Sequence, residues 1–254
     1  MTAVRGRLGV IALLFAAAAV AWWVTAERMA GMDMGPGTDL GALGWFAGIW
    51  VVMMAAMMFP SVAPTVGLYA RMTRGRDPAA PLLFTAGYLA VWSAAGIAAY
   101  GVFRAGRALL GDDLHWHAAG RWVAGATLLV AAVYELTPLK DVCLSKCRSP
   151  VGYLIGAWRS GRAGALRMGI GHGAWCLGCC WALMAALFAL GVMSLAWTAV
   201  VAGLIALEKT LPWKRVATFA TTALLVALAV AVVAIPHDVP GLTVPGGDAM
   251  SAMR

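Results

Sequence analysis

The sequence is poor in charged residues, and this shortage indicates its class. Asp, Glu, Lys and Arg make up 12% of the 254 residues, whereas 62% are hydrophobic. A water-soluble domain carries about a quarter charged residues. The apolar residues are gathered in runs of about 18 or more, long enough to cross the ~30 Å hydrocarbon core of a bilayer. The composition therefore predicts a multi-pass membrane protein and excludes an ordinary soluble domain.

Several patterns of known enzymes and membrane barrels are also missing. There is no Gly-Lys-Ser/Thr phosphate loop, which excludes nucleotide hydrolysis by that route. No Ser/His/Asp set and no convergent pair of carboxylates stands out. The strict alternation typical of membrane β-barrels is absent, and helices are the other structure that satisfies every backbone polar group in lipid. We therefore predict an all-α fold, a polytopic bundle of transmembrane helices.

Seven hydrophobic segments are predicted to be spans of one integral membrane domain that covers the whole chain, 1–254. The sixth is short, so a complete span and a re-entrant segment both remain open for it. The segments run over approximately 8–25, 42–68, 81–102, 120–138, 169–192, 195–208 and 215–235.

The basic residues predict the orientation of these spans. Short loops on one side of the predicted bundle carry 14 of the 19 Lys and Arg, and an excess of basic residues marks the cytoplasmic side. The N-terminus is therefore predicted to be cytoplasmic, in a cell's inner membrane. Because the net charge of +8 is located in these loops, it indicates topology and a lipid bilayer as partner, and it does not indicate nucleic-acid binding.

Two segments outside the spans are distinguished by their composition. The longest polar connection, 139–168, is predicted to be a cytoplasmic loop, and its apolar and basic stretch 151–168 is predicted to form one amphipathic helix at the membrane surface. With seven spans, the Pro/Gly-rich tail 236–254 is predicted to be external and flexible.

Soft metal ligands are concentrated in the fifth segment. His172, Cys176 and Cys179 fall within about 60° of each other on a helix that advances about 100° per residue. Cys180 lies slightly further round the same helix. A buried cysteine often behaves as a small hydrophobic residue, but three cysteines and a histidine on one face favour a metal site.

Two further groups of sulfur atoms accompany this stripe. Met53, Met54, Met57 and Met58 form two i,i+4 pairs on one broad face of the second span. Methionine also fills apolar cores, so packing and metal binding both remain open there. The loop residues Cys143 and Cys147 are an i,i+4 pair with basic neighbours, which favour the thiolate form. They are interpreted as a cytosolic hand-off site, a redox pair or two thiols of no special role.

The donor atoms predict the class of metal. Thiolate and thioether are soft ligands that select copper(I), whereas thiolate with imidazole also suits zinc or an iron-sulfur centre. Copper(I) is therefore the predicted metal, and zinc and iron remain open alternatives.

Several motifs resemble those of a bacterial family of predicted metal-binding integral membrane proteins. The most specific is Cys176-Leu-Gly-Cys179-Cys180-Trp, which follows His172-Gly. The others are Thr137-Pro-Leu-Lys140, Cys143 to Pro150, and the Met-Met-Ala-Ala-Met-Met-Phe-Pro run ending at Pro60. The resemblance covers most of the chain after the first span and implies that these positions belong to one site.

Three functional hypotheses follow from these observations. The first is a membrane protein that binds copper(I) and transports it or hands it over. The second is a membrane thiol-disulfide oxidoreductase in which Cys176/Cys179 and Cys143/Cys147 exchange disulfides. The third is a metallochaperone or assembly-factor subunit that transports nothing. The first and third imply a metallochaperone or metalloenzyme partner, and a homo-oligomer remains open.

Overall fold

A computed structural model of the protein describes residues 2–32, 35–36, 39–73, 77–111 and 116–243. These residues form nine α-helices, with a π-helical turn at Trp116–Gly120 and a short 3-10 helix at Pro236–Asp238, and no strand occurs among them. The helices are α1 (Thr2–Met29), α2 (Leu43–Met72), α3 (Ala79–Leu110), α4 (Arg121–Glu135), α5 (Pro138–Arg148), α6 (Pro150–Gly156), α7 (Gly161–Leu190), α8 (Leu195–Thr210) and α9 (Lys214–Ala234).

The prediction of an all-helical fold is confirmed for the described residues, because each of the seven predicted segments coincides with a helix. Five helices are long and apolar enough to cross a membrane, namely α1, α2, α3, α7 and α9. Together α4 and α5 meet the same criterion as a sixth span that is bent by 68°. At 16 residues, α8 is shorter than the spans. The count of seven spans and the orientation of the N-terminus stay predictions.

The stretch 151–168, which its sequence predicts to be one amphipathic helix, is divided between two helices. The whole segment 139–168 contains most of α5, all of α6 and the first turns of α7, which begins at Gly161 instead of near Gly169. Gly161 has φ of +78°, a left-handed conformation that suits glycine and separates the two helices. The cysteines of this segment therefore lie on a helix of their own.

The tail is described in part. Of the predicted tail 236–254, residues 236–243 are described and bury Val239 and Leu242, whereas 244–254 lie outside the described residues.

The chain divides into two compact units, of which the first contains Met1–Arg28, Gly41–Ala99 and Asp141–Cys179. Within it, two contacts join α2 to α3. The Trp50 indole N–H donates to the Trp92 carbonyl oxygen over 2.8 Å, and the rings of Tyr69 and Phe84 lie 5.4 Å apart. These contacts fix the alignment of the two helices.

Glycines allow α7 to approach α3 closely in the same unit. A Cβ atom at Gly173 would lie 3.0 Å from the Tyr88 carbonyl oxygen, and one at Gly169 would overlap the backbone of Phe84. Gly169 and Gly173 are four residues apart on one helix face, which is the spacing that brings helix backbones together in membranes.

The second unit contains Met29–Leu40, Tyr100–Lys140 and Cys180–Arg254. Within it, α4 packs against α9, and a Cβ at Gly125 would lie 2.6 Å from a methyl group of Val233. The chain passes from the end of α7 to α8 through a tight turn in which the Ser194 N–H donates to the Gly191 carbonyl oxygen.

Replacing Gly169 by Ala tests the close approach of α3 and α7. The added methyl group meets the Phe84 backbone, and overpacking of this kind costs about 1–3 kcal/mol. We therefore expect a lower melting temperature of the detergent-purified protein. Gly203→Ala is the matched control, since a Cβ there meets no atom within 4 Å. Equal melting temperatures for the two variants would contradict the packing described.

Candidate metal centre

Three cysteine sulfur atoms meet in the first unit. The Sγ atoms of Cys147, Cys176 and Cys179 all lie within 4.8 Å of one another in a buried group. Cys147 comes from the last turn of α5, and the other two come from successive turns of α7. The structure thus joins one of the predicted loop thiols to two thiols of the predicted helix stripe.

The individual contacts define the arrangement further. The Sγ atoms of Cys179 and Cys147 are 3.7 Å apart, and the Cys179 thiol also donates to the Cys176 carbonyl oxygen over 3.2 Å. Cys176 and Cys179 are each 1% exposed, whereas Cys147 keeps partial exposure as a residue. Cys147 is therefore the least buried residue of the group.

The remaining two cysteines lie beside this group but outside it. A Cβ at Gly178 would lie 2.7 Å from the Cys143 sulfur. The Cys143 thiol therefore packs directly against the α7 backbone. Cys180 is buried, and it is not a member of the three-thiol group among the described residues. The roles predicted for Cys143 and Cys180 stay predictions.

Tyr88 forms the closest polar contact to the three thiols. Its hydroxyl oxygen lies 2.9 Å from the Cys176 sulfur, and the Tyr88 side chain is fully buried. When Cys176 is a thiolate, the hydroxyl is the donor, since a thiolate has no proton to give. This hydrogen bond stabilises negative charge on the sulfur in an apolar surrounding.

His172 lies one turn before Cys176 and is enclosed by aromatic rings. Its imidazole ring is 4.8 Å from the Tyr153 ring, 5.9 Å from the Tyr88 ring and 6.0 Å from the Phe84 ring. His172 is 3% exposed and is not a member of the three-thiol group among the described residues. Its assignment as a ligand stays a prediction.

Tyr153 closes the aromatic surround of His172 from α6. Its hydroxyl donates to the Met168 carbonyl oxygen over 2.6 Å. Burial, together with the smaller effect of the nearby Cys147, raises the pKa of Tyr153 to about 12. The phenol therefore stays neutral and serves as a fixed hydrogen-bond donor.

The four predicted methionines are buried on α2. Met53, Met54, Met57 and Met58 are each 5% exposed or less. They lie between Trp50 and Tyr69, whose contacts on α3 are Trp92 and Phe84. The assignment of these four methionines as metal ligands stays a prediction.

The three thiols fit copper(I) in both spacing and chemistry. Three sulfurs bound to one ion at about 2.3 Å lie about 4 Å apart, which matches a group whose members are all within 4.8 Å. Soft thiolates select copper(I), whereas structural zinc takes four ligands in a tetrahedron. A donor set of three thiols therefore favours copper(I).

Comparison with known proteins adds an independent line of evidence. The model of a family named PpoB2 and described as a copper chaperone matches residues 47–232. This range covers most of the chain. The chain belongs to this copper chaperone family. No curated protein and no solved structure matches it.

Membership of the copper chaperone family agrees with the three-thiol group. The matched range includes α5 and α7 as well as the methionine segment of α2. Together the family and the cysteine group support a metal-binding role related to copper.

Sequence reasoning missed the tyrosines of this site. Tyr88 and Tyr153 are isolated aromatic residues in apolar or basic segments, and nothing in their local pattern indicates a polar role. One pattern in the sequence does predict the packing that brings Tyr88 to Cys176. The spacing of Gly169 and Gly173 predicts a close helix contact on the face of α7 that precedes the cysteines.

Two cysteine variants distinguish the three-thiol group of the structure from the ligand stripe that the sequence predicts on α7. We expect Cys147→Ser to weaken copper(I) binding by more than about 100-fold, since even partners outside the coordination sphere contribute 10–100-fold. Cys180→Ser is expected to retain the affinity of the unmodified protein. Competition with a colorimetric copper(I) chelator measures both. Loss of binding in Cys180→Ser with retention in Cys147→Ser would refute the grouping.

Removing one hydroxyl tests the role of Tyr88. In Tyr88→Phe the Cys176 thiolate loses its hydrogen bond, and we expect a copper(I) affinity about tenfold lower. X-ray absorption should also show altered copper–sulfur distances. Tyr69→Phe is the control, because Tyr69 is an equally buried tyrosine whose recorded ring contacts are with aromatic residues. Unchanged affinity and distances in Tyr88→Phe would show that the contact has no effect on the metal.

Proposed function

We propose that this protein is an inner-membrane copper(I) chaperone that holds the ion at Cys147, Cys176 and Cys179 and hands it to a partner protein. The observation that carries the proposal is the buried group of three thiols contributed by two helices. Membership of a copper chaperone family supports the same assignment.

A membrane location is part of the proposal. It is supported by five helices that are long and apolar enough to span a bilayer and by basic residues concentrated in their connections. Thiolates in such a surrounding carry a large desolvation cost, and a bound cation offsets this cost. The site therefore favours the metal-loaded form over a set of free thiolates.

Hand-over proceeds by ligand exchange in this proposal. Cys147 keeps partial exposure and lies on a helix of 11 residues. A soft ligand of the partner replaces its sulfur on copper first, while Cys176 and Cys179 hold the ion. The partner's ligands then replace these two sulfurs, so that copper(I) is never released to water. The partner is a copper-requiring protein or another metallochaperone with thiol or thioether ligands.

Metal analysis of purified protein tests the proposal. Anaerobically loaded protein is expected to bind one copper(I) ion with sulfur ligands at about 2.3 Å. The triple variant Cys147→Ser, Cys176→Ser, Cys179→Ser is expected to bind none, whereas Cys180→Ser binds normally. Loaded protein should transfer its copper to a reduced thiol-bearing acceptor protein. Equal copper binding by the triple variant, or copper that no acceptor removes, would refute the function.

Transport of copper(I) through the bilayer is the second candidate, favoured by the methionine segment of α2. The four buried thioethers of this segment are soft ligands of the kind that copper(I) prefers. Reconstitution in liposomes with a copper(I) chelator inside distinguishes the two. Accumulation of copper inside, lost when Met54 and Met58 are replaced by Leu, supports transport. Binding without accumulation supports the chaperone alone.

A further inference from the structure

A groove between α1 and α2 lies within the first unit, and no residue that lines it belongs to the three-thiol group. Its volume is about 340 Å³, which is within the range of small-molecule sites, about 300–1,000 Å³. Its walls are mostly apolar side chains of the two helices, and the Thr25 hydroxyl and the Arg28 guanidinium are polar groups among them. We call this space the α1–α2 groove.

Two glycines of α2 leave the room for the α1–α2 groove. Beyond one end of the groove, Ala21 of α1 packs with Ala55 and Ala56 of α2. Towards the start of α2, Gly44 and Gly48 line the groove, and a Cβ atom at either would meet nothing within 4 Å. Glycine weakens a helix relative to alanine. In contrast to the glycines of α7, these two have no backbone of the described residues packed against them, so the groove has room for another molecule.

Thr25 lines the groove with a hydroxyl group that has no hydrogen-bond partner in the described part of the chain. The residue is 1% exposed. Four threonines elsewhere in the helices donate to the carbonyl oxygen four residues earlier, namely Thr85, Thr127, Thr198 and Thr210. The Thr25 hydroxyl makes no such bond. Because a buried hydroxyl without a partner costs free energy, an acceptor on a molecule in the groove would stabilise it.

Arg28 and Trp45 line the groove where α1 ends and α2 begins. Arg28 is exposed and is the next-to-last residue of the candidate span Leu8–Met29. Trp45 lies in the first turn of α2 and is 37% exposed. Arginine near the end of a span and tryptophan at a membrane–water interface lie at the level of lipid headgroups. A guanidinium group binds phosphate oxygens through paired N–H donors. The neighbouring Glu27 is exposed and does not line the groove.

We propose that the α1–α2 groove is a phospholipid-binding site in which Arg28 holds the phosphate and the Thr25 hydroxyl donates to an ester carbonyl oxygen. Thr25 lies three residues before Arg28, about 4.5 Å further into the span, and the ester groups of a phospholipid follow its phosphate in the same direction. One acyl chain lies along Gly48 and Val52, which line the groove. The proposal uses the membrane location given under the proposed function, and it does not depend on copper binding.

Native mass spectrometry of metal-free, delipidated protein measures this binding. Phosphatidylglycerol is expected to bind as one retained molecule, about fivefold more tightly than a diacylglycerol with the same acyl chains, because the diacylglycerol has no phosphate. Arg28→Gln is expected to remove this preference, whereas Arg28→Lys keeps the positive charge and most of the preference. Equal affinity of the unmodified protein for the two lipids would overturn the proposal.

Replacing Thr25 by Val tests the role of its hydroxyl group. We expect both lipids to bind about fivefold more weakly, since the hydrogen bond to the ester carbonyl is lost. Thr65→Val is the matched control, because Thr65 is also a buried threonine without a hydroxyl partner among the described residues, and it does not line the groove. Equal lipid affinities in the two variants would contradict the position given to the ester group.

Replacing Gly48 by Leu tests the space itself. The added side chain fills the groove, and the bound lipid is expected to be lost. Gly101→Leu is expected to keep the lipid, since a Cβ at this other helix glycine also meets nothing within 4 Å. A dimer of the unmodified protein that Gly48→Leu dissociates would overturn the proposal, because a second copy would then occupy the groove. Normal copper binding without lipid binding would refute this proposal and leave the chaperone function standing.

Discussion

The close contact between α3 and α7 is the constraint on which the candidate metal centre depends. Gly169 and Gly173 leave room for the α3 backbone where a larger side chain would overlap it. Helices in an apolar surrounding gain nothing from burying further apolar surface, so small residues and close packing hold them together. The consequence for the site is direct, because this approach brings the Tyr88 hydroxyl to the Cys176 sulfur.

The second constraint is electrostatic. A thiol in an apolar bundle stays protonated, whereas a thiolate there needs a counter-charge and donors. The Tyr88 hydroxyl is one such donor, and a copper(I) ion is the counter-charge that three converging sulfurs favour. The three thiols are neutral when they carry protons, and one copper(I) ion offsets part of the negative charge when they lose them. The proposed chaperone passes through both of these states.

The sequence predicts the helices well and the site in part. Hydropathy locates all seven apolar segments, because long apolar runs depend on local composition alone. Helical periodicity places Cys176 and Cys179 on one face of α7, as observed. It does not reveal that Cys147 joins them, since the direction of α5 depends on the breaks at Ser149 and at Gly161 and on packing against α7. Periodicity also places Cys180 with these two residues. Membership of the three-thiol group, however, depends on how far each sulfur lies from Cys147 on α5, and periodicity within α7 does not give that distance.

The short helix α5 is the part of the three-thiol group that suits the proposed hand-over. Two of the three thiols belong to α7, a helix of 30 residues, and they cannot move without disturbing the bundle. The third belongs to the last turn of an 11-residue helix, where Lys146 and Arg148 flank Cys147. Basic residues at a helix C-terminus interact favourably with the helix dipole, and they also attract a thiol-bearing acidic partner surface. In the proposed hand-over, Cys147 is therefore the ligand that is exchanged first, because it lies at the end of a short helix and not within the long helix α7.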